Sequence, residues 1–226
     1  NVRRTRFTAS NVTVFTIISV ILLLVWQSGL LFIELPPPKS EWAFETTEIR
    51  QLQAQGLDGQ GVRICMVDTG FSPTHSAFED FEIVFKDMVG DSTEPVDYGT
   101  VGHGTMMAGL LISQSHQIGI SPNVTLGVVA ALSDNGDGVN SGDEVVVANA
   151  IRWCHQEFNA DIISLSLGGQ QKPDSEREGA SVSATRMAVD SGIFVVAAAG
   201  NDGGSDDDGM VSAPANVARV ITVGAT

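Results

Sequence analysis

The sequence of 226 residues is 43% hydrophobic, which is enough apolar material to bury the core of one globular domain. Its 27 acidic residues outnumber its 12 basic ones, giving a net charge of -15 and a pI of about 4.4. This charge argues against nucleic acid as a partner, because phosphate binding requires a basic surface. Lysine occurs only at positions 39, 86 and 172, and the acidic, lysine-poor composition leads us to hypothesise a salt-rich habitat.

The N-terminal part of the chain predicts a membrane anchor. Residues 12–33 carry no charge, and as a helix they would span roughly 33 Å, the thickness of a bilayer core. Three arginines lie in residues 1–11, and Glu34 follows the apolar stretch. The positive-inside rule then makes residues 1–11 a basic cytoplasmic tail. We therefore expect a single-pass transmembrane helix over 12–33 in the cell membrane, with the following domain on the extracellular face.

Two other interpretations of this apolar stretch are open. A cleavable signal peptide shares the basic start and apolar core, but no small-x-small cleavage site is evident and the stretch is long for that role. A buried helix of a soluble protein would ordinarily be polar on one side. Residues 34–41 include three consecutive prolines, which predict a stiff linker of polyproline type before the globular part.

Residues 42–226 alternate between strand and helix patterns. Strand patterns occupy 62–67, 124–132, 162–167 and 193–199, and a fifth begins at 219. Within the first, residues 64–67 form a continuous apolar run, which is typical of a strand buried on both faces. Helical spacing occupies 48–55, 102–111, 143–157 and 181–191, and a loop-rich stretch covers 71–101. Such alternation predicts an α/β fold with a mainly parallel sheet covered on both faces.

The two cysteines lie far apart along the chain. Cys65 falls in the first buried strand and Cys154 in a helical pattern, and neither has a partner at metal-ligand or C-x-x-C spacing. Free buried thiols are the simpler interpretation, and a disulfide between the two is the alternative.

Three polar side chains stand where catalytic groups gather in such folds. Asp68 directly follows the first apolar strand, His103 opens a helix, and Asn201 follows the fourth strand. Strand carboxyl ends and helix N-termini share one edge of a parallel sheet, which brings these groups together. The Asp can accept the imidazole Nδ1–H, the His can act as a general base, and the Asn can donate to an oxyanion.

Four sequence motifs carry these residues and their neighbours. In chain order they are Val67-Asp68-Thr69-Gly70, Gly102-His103-Gly104-Thr105, Ile163-Ser164-Leu165-Ser166-Leu167-Gly168-Gly169 and Val196-Ala197-Ala198-Ala199-Gly200-Asn201. Together they resemble the subtilisin-like serine proteases, and the resemblance covers about residues 42–226. The chain order of Asp before His is also that of subtilisin.

The resemblance implies a three-layer subtilisin-like fold, a polypeptide substrate and a role for each matching residue. Asp68 would be the orienting acid, His103 the general base and Asn201 the oxyanion donor. It also implies a cis peptide at Ala213-Pro214. The residues that would wall the pocket before the scissile bond are Ser166, Leu167, Gly168, Ala198, Ala199 and Gly200. The residues that would form an edge segment pairing with extended substrate are Asn140, Ser141 and Gly142.

The chain departs from the family at the nucleophile. By subtilisin order and spacing, the catalytic Ser should follow His103 by roughly 157 residues, near position 260, beyond Thr226. We expect it to lie in a missing C-terminal part or in a second chain. The catalytic domain at 42–226 is then incomplete, and this fragment alone is inactive. Met106 also stands where the family often has a second His.

The resemblance brings in no cofactor with certainty, and we predict no metal site. Calcium at the acidic loops is an open alternative to plain solvated loops. The acidic residues concerned are Asp134, Asp137 and Asp143 in one group and Asp202, Asp206, Asp207 and Asp208 in the other.

Two functions follow for the complete protein. The first is a serine endopeptidase that hydrolyses peptide bonds through an Asp-His-Ser triad. The alternative is a non-catalytic peptide-binding or scaffold module derived from such a protease, which the absent Ser and Met106 favour and the intact Asp68, His103 and Asn201 oppose.

Overall fold

The structure is a computed structural model that describes residues 9–27, 41–78, 81–115, 117–170, 178–201, 203 and 209–224. The chain divides into two units, Asn1–Lys39 and Ser40–Thr226. The first contains helix α1 (Ala9–Gln27). Over the described residues, no helix combines the length and the apolar composition needed to cross a bilayer. The transmembrane helix expected over 12–33 is therefore not found: α1 ends at Gln27, and 28–40, including most of the linker, lie outside the described residues.

The second unit begins with short helices and then enters an alternation of strands and helices. Its elements in chain order are α2 (Glu41–Thr46), α3 (Ile49–Ala54), β1 (Arg63–Asp68), a 3₁₀ turn (Ser76–Phe78), β2 (Val84–Asp87), α4 (His103–Ile112), β3 (Thr125–Ala130), β4 (Ser133–Asp134), β5 (Asn140–Ser141), α5 (Glu144–Gln156), β6 (Ile162–Leu165), α6 (Ala180–Asp190), β7 (Phe194–Ala198) and β8 (Ile221–Val223). The α/β class expected from the sequence is confirmed.

Six of the strands form one parallel sheet in the order β2-β3-β1-β6-β7-β8. After the central strand β1, the chain forms the edge strand β2 and then β3 between β2 and β1. It then adds β6, β7 and β8 in turn on the other side of β1. In register, Asp68 at the end of β1 lies opposite Ala130 of β3. The carboxyl end of the strand at which the order reverses is where α/β proteins commonly bind ligands, and here it carries Asp68.

The core lies on both faces of the sheet because successive side chains of β1 point to opposite sides. Ile64 and Met66 join a cluster packed against α4, and Cys65 and Val67 join a second cluster packed against α5 and α6. All four side chains are buried. This is the expected three-layer arrangement. Because both faces of β1 are covered, residues 64–67 are all apolar.

The two cysteines form a disulfide, contrary to the expectation of free thiols. Cys65 of β1 and Cys154 of α5 are both fully buried, with their Cα atoms 5.6 Å apart. The bond follows from the alternation along β1, which points Cys65 toward the helical face where Cys154 lies. Sequence spacing could not predict this bond, because the two cysteines lie 89 residues apart along the chain.

Candidate active site

Asp68 is held in a fully buried position at the end of β1. Its Oδ1 accepts a hydrogen bond from the backbone N–H of Thr69 at 2.7 Å and lies 2.7 Å from Nδ1 of His103. Its Oδ2 is buried and has no hydrogen-bond partner among the described residues. The two candidate residues, 35 positions apart in sequence, are thus in direct contact.

His103 is the first residue of α4, and Gly102 makes this placement feasible. Gly102 is the N-cap and has a φ of 64°, a left-handed conformation that costs glycine little and most other residues considerably more. The His103 side chain remains about one-third exposed. With Nδ1 directed at Asp68, Nε2 is the ring nitrogen available to a molecule in the adjoining cavities.

The electrostatics of Asp68 follow from its burial. Burial raises the pKa of Asp68, and the hydrogen bonds from His103 and Thr69 offset only part of that rise. The carboxylate therefore gains most when a positive charge forms beside it. An imidazole that accepts a proton at Nε2 supplies that charge, which is how an Asp can favour a His acting as a general base.

Two cavities open next to His103. The smaller, of about 410 Å³, is lined by His103, Asn201, Ser212, Ala198, Gly200 and the segment 166–170 after β6. The larger, of about 780 Å³, shares His103, Asn201 and that segment and extends over Asn140, Ser141 and Gly142. The structure thus brings Asp68, His103 and the Asn201 loop to the same edge of the sheet.

Among the expected pocket-wall residues, Ala199 is placed differently from the others. Ser166, Leu167 and Gly168 line both cavities. Ala199 lines neither, and its backbone pairs with Val223 and Ser212 instead. Ala213-Pro214 is a cis peptide bond, as the resemblance implied.

The expected edge segment follows β4 as a short antiparallel partner. Ser141 of β5 pairs with Ser133 of β4, and Asn140 pairs with Asp134. Helix α5 begins directly after it, capped by the Asp143 carboxylate, which accepts from the N–H groups of Val145 and Val146. Ser141 and Gly142 are exposed and Asn140 is half-buried beside the larger cavity, and strand addition by a peptide requires an accessible edge of this kind.

The first acidic group, at 134, 137 and 143, accepts hydrogen bonds from nearby backbone N–H groups. Asp134 accepts hydrogen bonds from the N–H groups of Gly136 and Gly138, and Asp143 caps α5. Within the described residues, no three His, Cys, Asp or Glu side chains are grouped as a metal site would need. The second acidic group, at 202 and 206–208, lies outside the described residues.

Two features of the site escaped the sequence reasoning. Glu144 lines the larger cavity and its Oε1 accepts from the Ser181 hydroxyl at 3.2 Å. Asp97, in the loop-rich stretch before α4, accepts hydrogen bonds from Thr69, which follows Asp68, and from Thr105, two residues after His103. No local sequence pattern marks either residue, because their partners lie 37, 28 and 8 positions away.

Comparisons with known proteins agree on one family. The profile of the subtilase family, Peptidase_S8, matches residues 59–226. Subtilisin DY of Bacillus licheniformis is 33% identical over 182 residues, which cover 77% of this chain and 60% of that relative. Serine protease AprX of Bacillus subtilis (strain 168) is 38% identical over 183 residues, which cover 76% of this chain and 39% of that relative.

The fold has counterparts among solved structures. Sphericase superposes with a TM-score of 0.59 at 29% identity, and the match covers 74% of this chain and 54% of Sphericase. The present chain spans 60% and 39% of the lengths of the two relatives above.

Proposed function

Since this chain belongs to the subtilase family, we propose that it forms part of a serine endopeptidase in which Asp68 and His103 activate a serine hydroxyl from outside these 226 residues. The observation that carries the proposal is the 2.7 Å contact between Asp68 Oδ1 and His103 Nδ1 beside two cavities. The family match and this intact pair favour the endopeptidase over a non-catalytic binding module.

The proposed reaction has two halves. His103 Nε2 takes the proton from the serine Oγ as that oxygen bonds to the peptide carbonyl carbon, and Asp68 stabilises the imidazolium. Asn201 donates its side-chain N–H to the developing oxyanion. His103 then gives its proton to the leaving amine as the C–N bond breaks. Water, deprotonated by His103, attacks the acyl-enzyme and releases the carboxylic acid, and the serine regains its proton.

The substrate is proposed to bind as an extended peptide. Asn140, Ser141 and Gly142 would add it as a strand beside β5. The smaller cavity would take the side chain before the scissile bond, and its described lining carries no Asp, Glu, Lys or Arg. In the larger cavity, Glu144 is the one carboxylate among the described lining residues, with no Lys or Arg beside it. This arrangement favours a cationic peptide side chain there.

The proposed compartment lies outside the cytoplasm. A buried disulfide that links the catalytic strand to α5 supports it, because such bonds persist chiefly in oxidising surroundings. The acid-rich, lysine-poor composition supports activity in concentrated salt. Loss of activity in molar salt would contradict that second point.

The test of function is protein hydrolysis by the full-length polypeptide. We expect casein to be cleaved, cleavage to be lost in His103→Ala, and cleavage to persist in the matched control His155→Ala, which removes an imidazole from α5. Equal cleavage by His103→Ala and the control would overturn the proposal, as would an inactive full-length protein.

A further inference from the structure

Asp97 contacts both of the segments that carry the catalytic pair. Its Oδ1 accepts from the hydroxyl of Thr69 at 2.6 Å and from the N–H of Gly99 at 3.0 Å. Its Oδ2 accepts from the N–H of Thr105 at 2.9 Å and from the Thr105 hydroxyl at 2.5 Å. Thr69 directly follows Asp68, and Thr105 lies two residues after His103.

A further bond closes this connection. The Thr69 hydroxyl, while donating to Asp97, accepts from the N–H of Gly104 at 2.9 Å. Gly104 is the residue after His103. The end of β1 and the start of α4 are therefore joined at residues adjacent to Asp68 and His103, without use of either catalytic side chain.

Asp97 also supplies what α4 lacks at its N-terminus. The N-cap of α4 is Gly102, which has no side chain to accept from the first free N–H groups of the helix. The Asp97 carboxylate accepts from the third of these, on Thr105, and its negative charge is favourably placed at the positive end of the helix. A cap of this kind fixes the direction in which α4 begins, and His103 is its first residue.

The start of α4 is packed closely against the turn that follows β1. A Cβ added at Gly104 would lie 2.2 Å from the carbonyl oxygen of Gly70, so the backbone of α4 packs directly against the backbone of the turn after β1. Burial raises the pKa of Asp97, but the hydrogen bonds from Thr105, Thr69 and Gly99 lower it by more, and its pKa lies below the ordinary value. Asp97 is thus charged when its donors surround it.

We propose that Asp97 is a positioning residue that, through Thr69 and Thr105, holds the His103 imidazole against the Asp68 carboxylate. The role rests on the proposed function of that pair. In this proposal, a loop residue outside the catalytic pair fixes the geometry that proton transfer by His103 requires.

The test uses the full-length protein and proton NMR. An imidazole Nδ1–H bonded to a buried carboxylate gives a strongly deshielded, slowly exchanging resonance, which we expect for His103 in the unaltered chain. Asp97→Asn should abolish this resonance. Thr69→Val, which keeps shape and charge but removes the hydroxyl, should abolish it too, and Thr69→Ser should restore it.

The matched control is Asp58→Asn. Asp58 also accepts hydrogen bonds, from Asn123 and Gln60, but it precedes the opposite end of β1. This variant should keep the resonance, whereas a general effect of lost charge would weaken it. If Asp97→Asn does not fold, the two Thr69 variants decide. Retention of the resonance in Thr69→Val, or its loss in Thr69→Ser, would overturn the proposal. The NMR readout requires no hydrolysis. The positioning role of Asp97 can therefore be disproved while the protein still cleaves peptides, and it can be supported even if the protein proves inactive.

Discussion

Two carboxylates at the edge of the sheet, Asp68 at a strand end and Asp97 in a loop, have opposite surroundings. Asp68 is fully buried, has an unpartnered Oδ2 among the described residues, and has a raised pKa. Asp97 is only partly buried, receives four hydrogen bonds, and has a lowered pKa. The first is short of partners and gains from a new positive charge nearby. The second is saturated and holds its neighbours in place.

The largest expected effect is the loss of activity when the Asp68 carboxylate is removed. In the full-length protein, Asp68→Asn should lower kcat by about 10⁴-fold, because an amide cannot stabilise the imidazolium and imposes the wrong tautomer on His103. Initial rates on a chromogenic peptide measure this. Asp58→Asn is the control and should stay close to the unaltered rate. A decrease of less than about tenfold for Asp68→Asn would remove Asp68 from the mechanism.

The disulfide beneath Asp68 supplies the next effect. A bond that closes 89 residues should stabilise the fold by about 4 kcal/mol, chiefly by restricting the unfolded chain. Urea unfolding with and without reducing agent measures the difference. The variant carrying both Cys65→Ala and Cys154→Ala should unfold at the same urea concentration under both conditions. An unaltered protein that is equally insensitive to reduction would show that no such bond forms.

Replacing each carboxylate by an amide should affect stability differently, because Asp97 is well hydrogen-bonded and Asp68 is not. Asp97→Asn should lower the free energy of unfolding by about 2 kcal/mol, because donors that faced a carboxylate oxygen then face an amide N–H₂. Asp68→Asn should change it by less than about 1 kcal/mol, because the charge it removes was poorly solvated. Chemical denaturation at neutral pH compares them. Equal losses in both variants would contradict the distinction.

The two carboxylates should also differ in how their contribution to stability changes with pH. Because the pKa of Asp97 is lowered from 3.8 by folding, its contribution is complete above that value and is lost as the pH falls through the folded pKa. The deficit of Asp97→Asn should therefore shrink in acid. Asp68 has its pKa raised from 3.8, so its charge opposes folding once the pH has risen through that range. Relative to Asp68→Asn, the unaltered protein should gain stability as the pH falls. Parallel curves for all three proteins would refute this.

The smallest effect concerns Glu144 in the larger cavity. Its carboxylate is exposed, so a cationic peptide side chain should gain only about threefold in binding over a glutamine at the same position. Glu144→Gln should remove that preference, measured by anisotropy of labelled alanine peptides carrying one lysine or one glutamine. Glu157→Gln, at the other end of α5, should keep it. A preference that survives Glu144→Gln would exclude this carboxylate as its source.

Sequence reasoning located Asp68, His103 and Asn201 because each follows a strand or opens a helix whose pattern is strong. The apolar run of β1 and the Gly-rich turns around His103 are local signals. Local patterns also predicted four other strands of the parallel sheet, β3, β6, β7 and β8. The element boundaries differ by a residue or two, as expected where helices and strands fray.

What the sequence did not reveal depends on contacts between distant segments. Strand β2 lies in a loop-rich stretch with only four residues and no clear alternation. Asp97 has no periodicity around it, and its partners lie 28 and 8 positions away. The Cys65–Cys154 bond requires knowing that β1 and α5 share a face. These are tertiary facts, and residue type alone leaves them open.

The most direct test of the central claim is to label the full-length protein with a fluorophosphonate and to identify the modified residue by mass spectrometry. The account predicts one modified serine, located outside these 226 residues, and no modification when His103 is replaced by alanine. Modification of a serine within these 226 residues, or undiminished modification in His103→Ala, would contradict it.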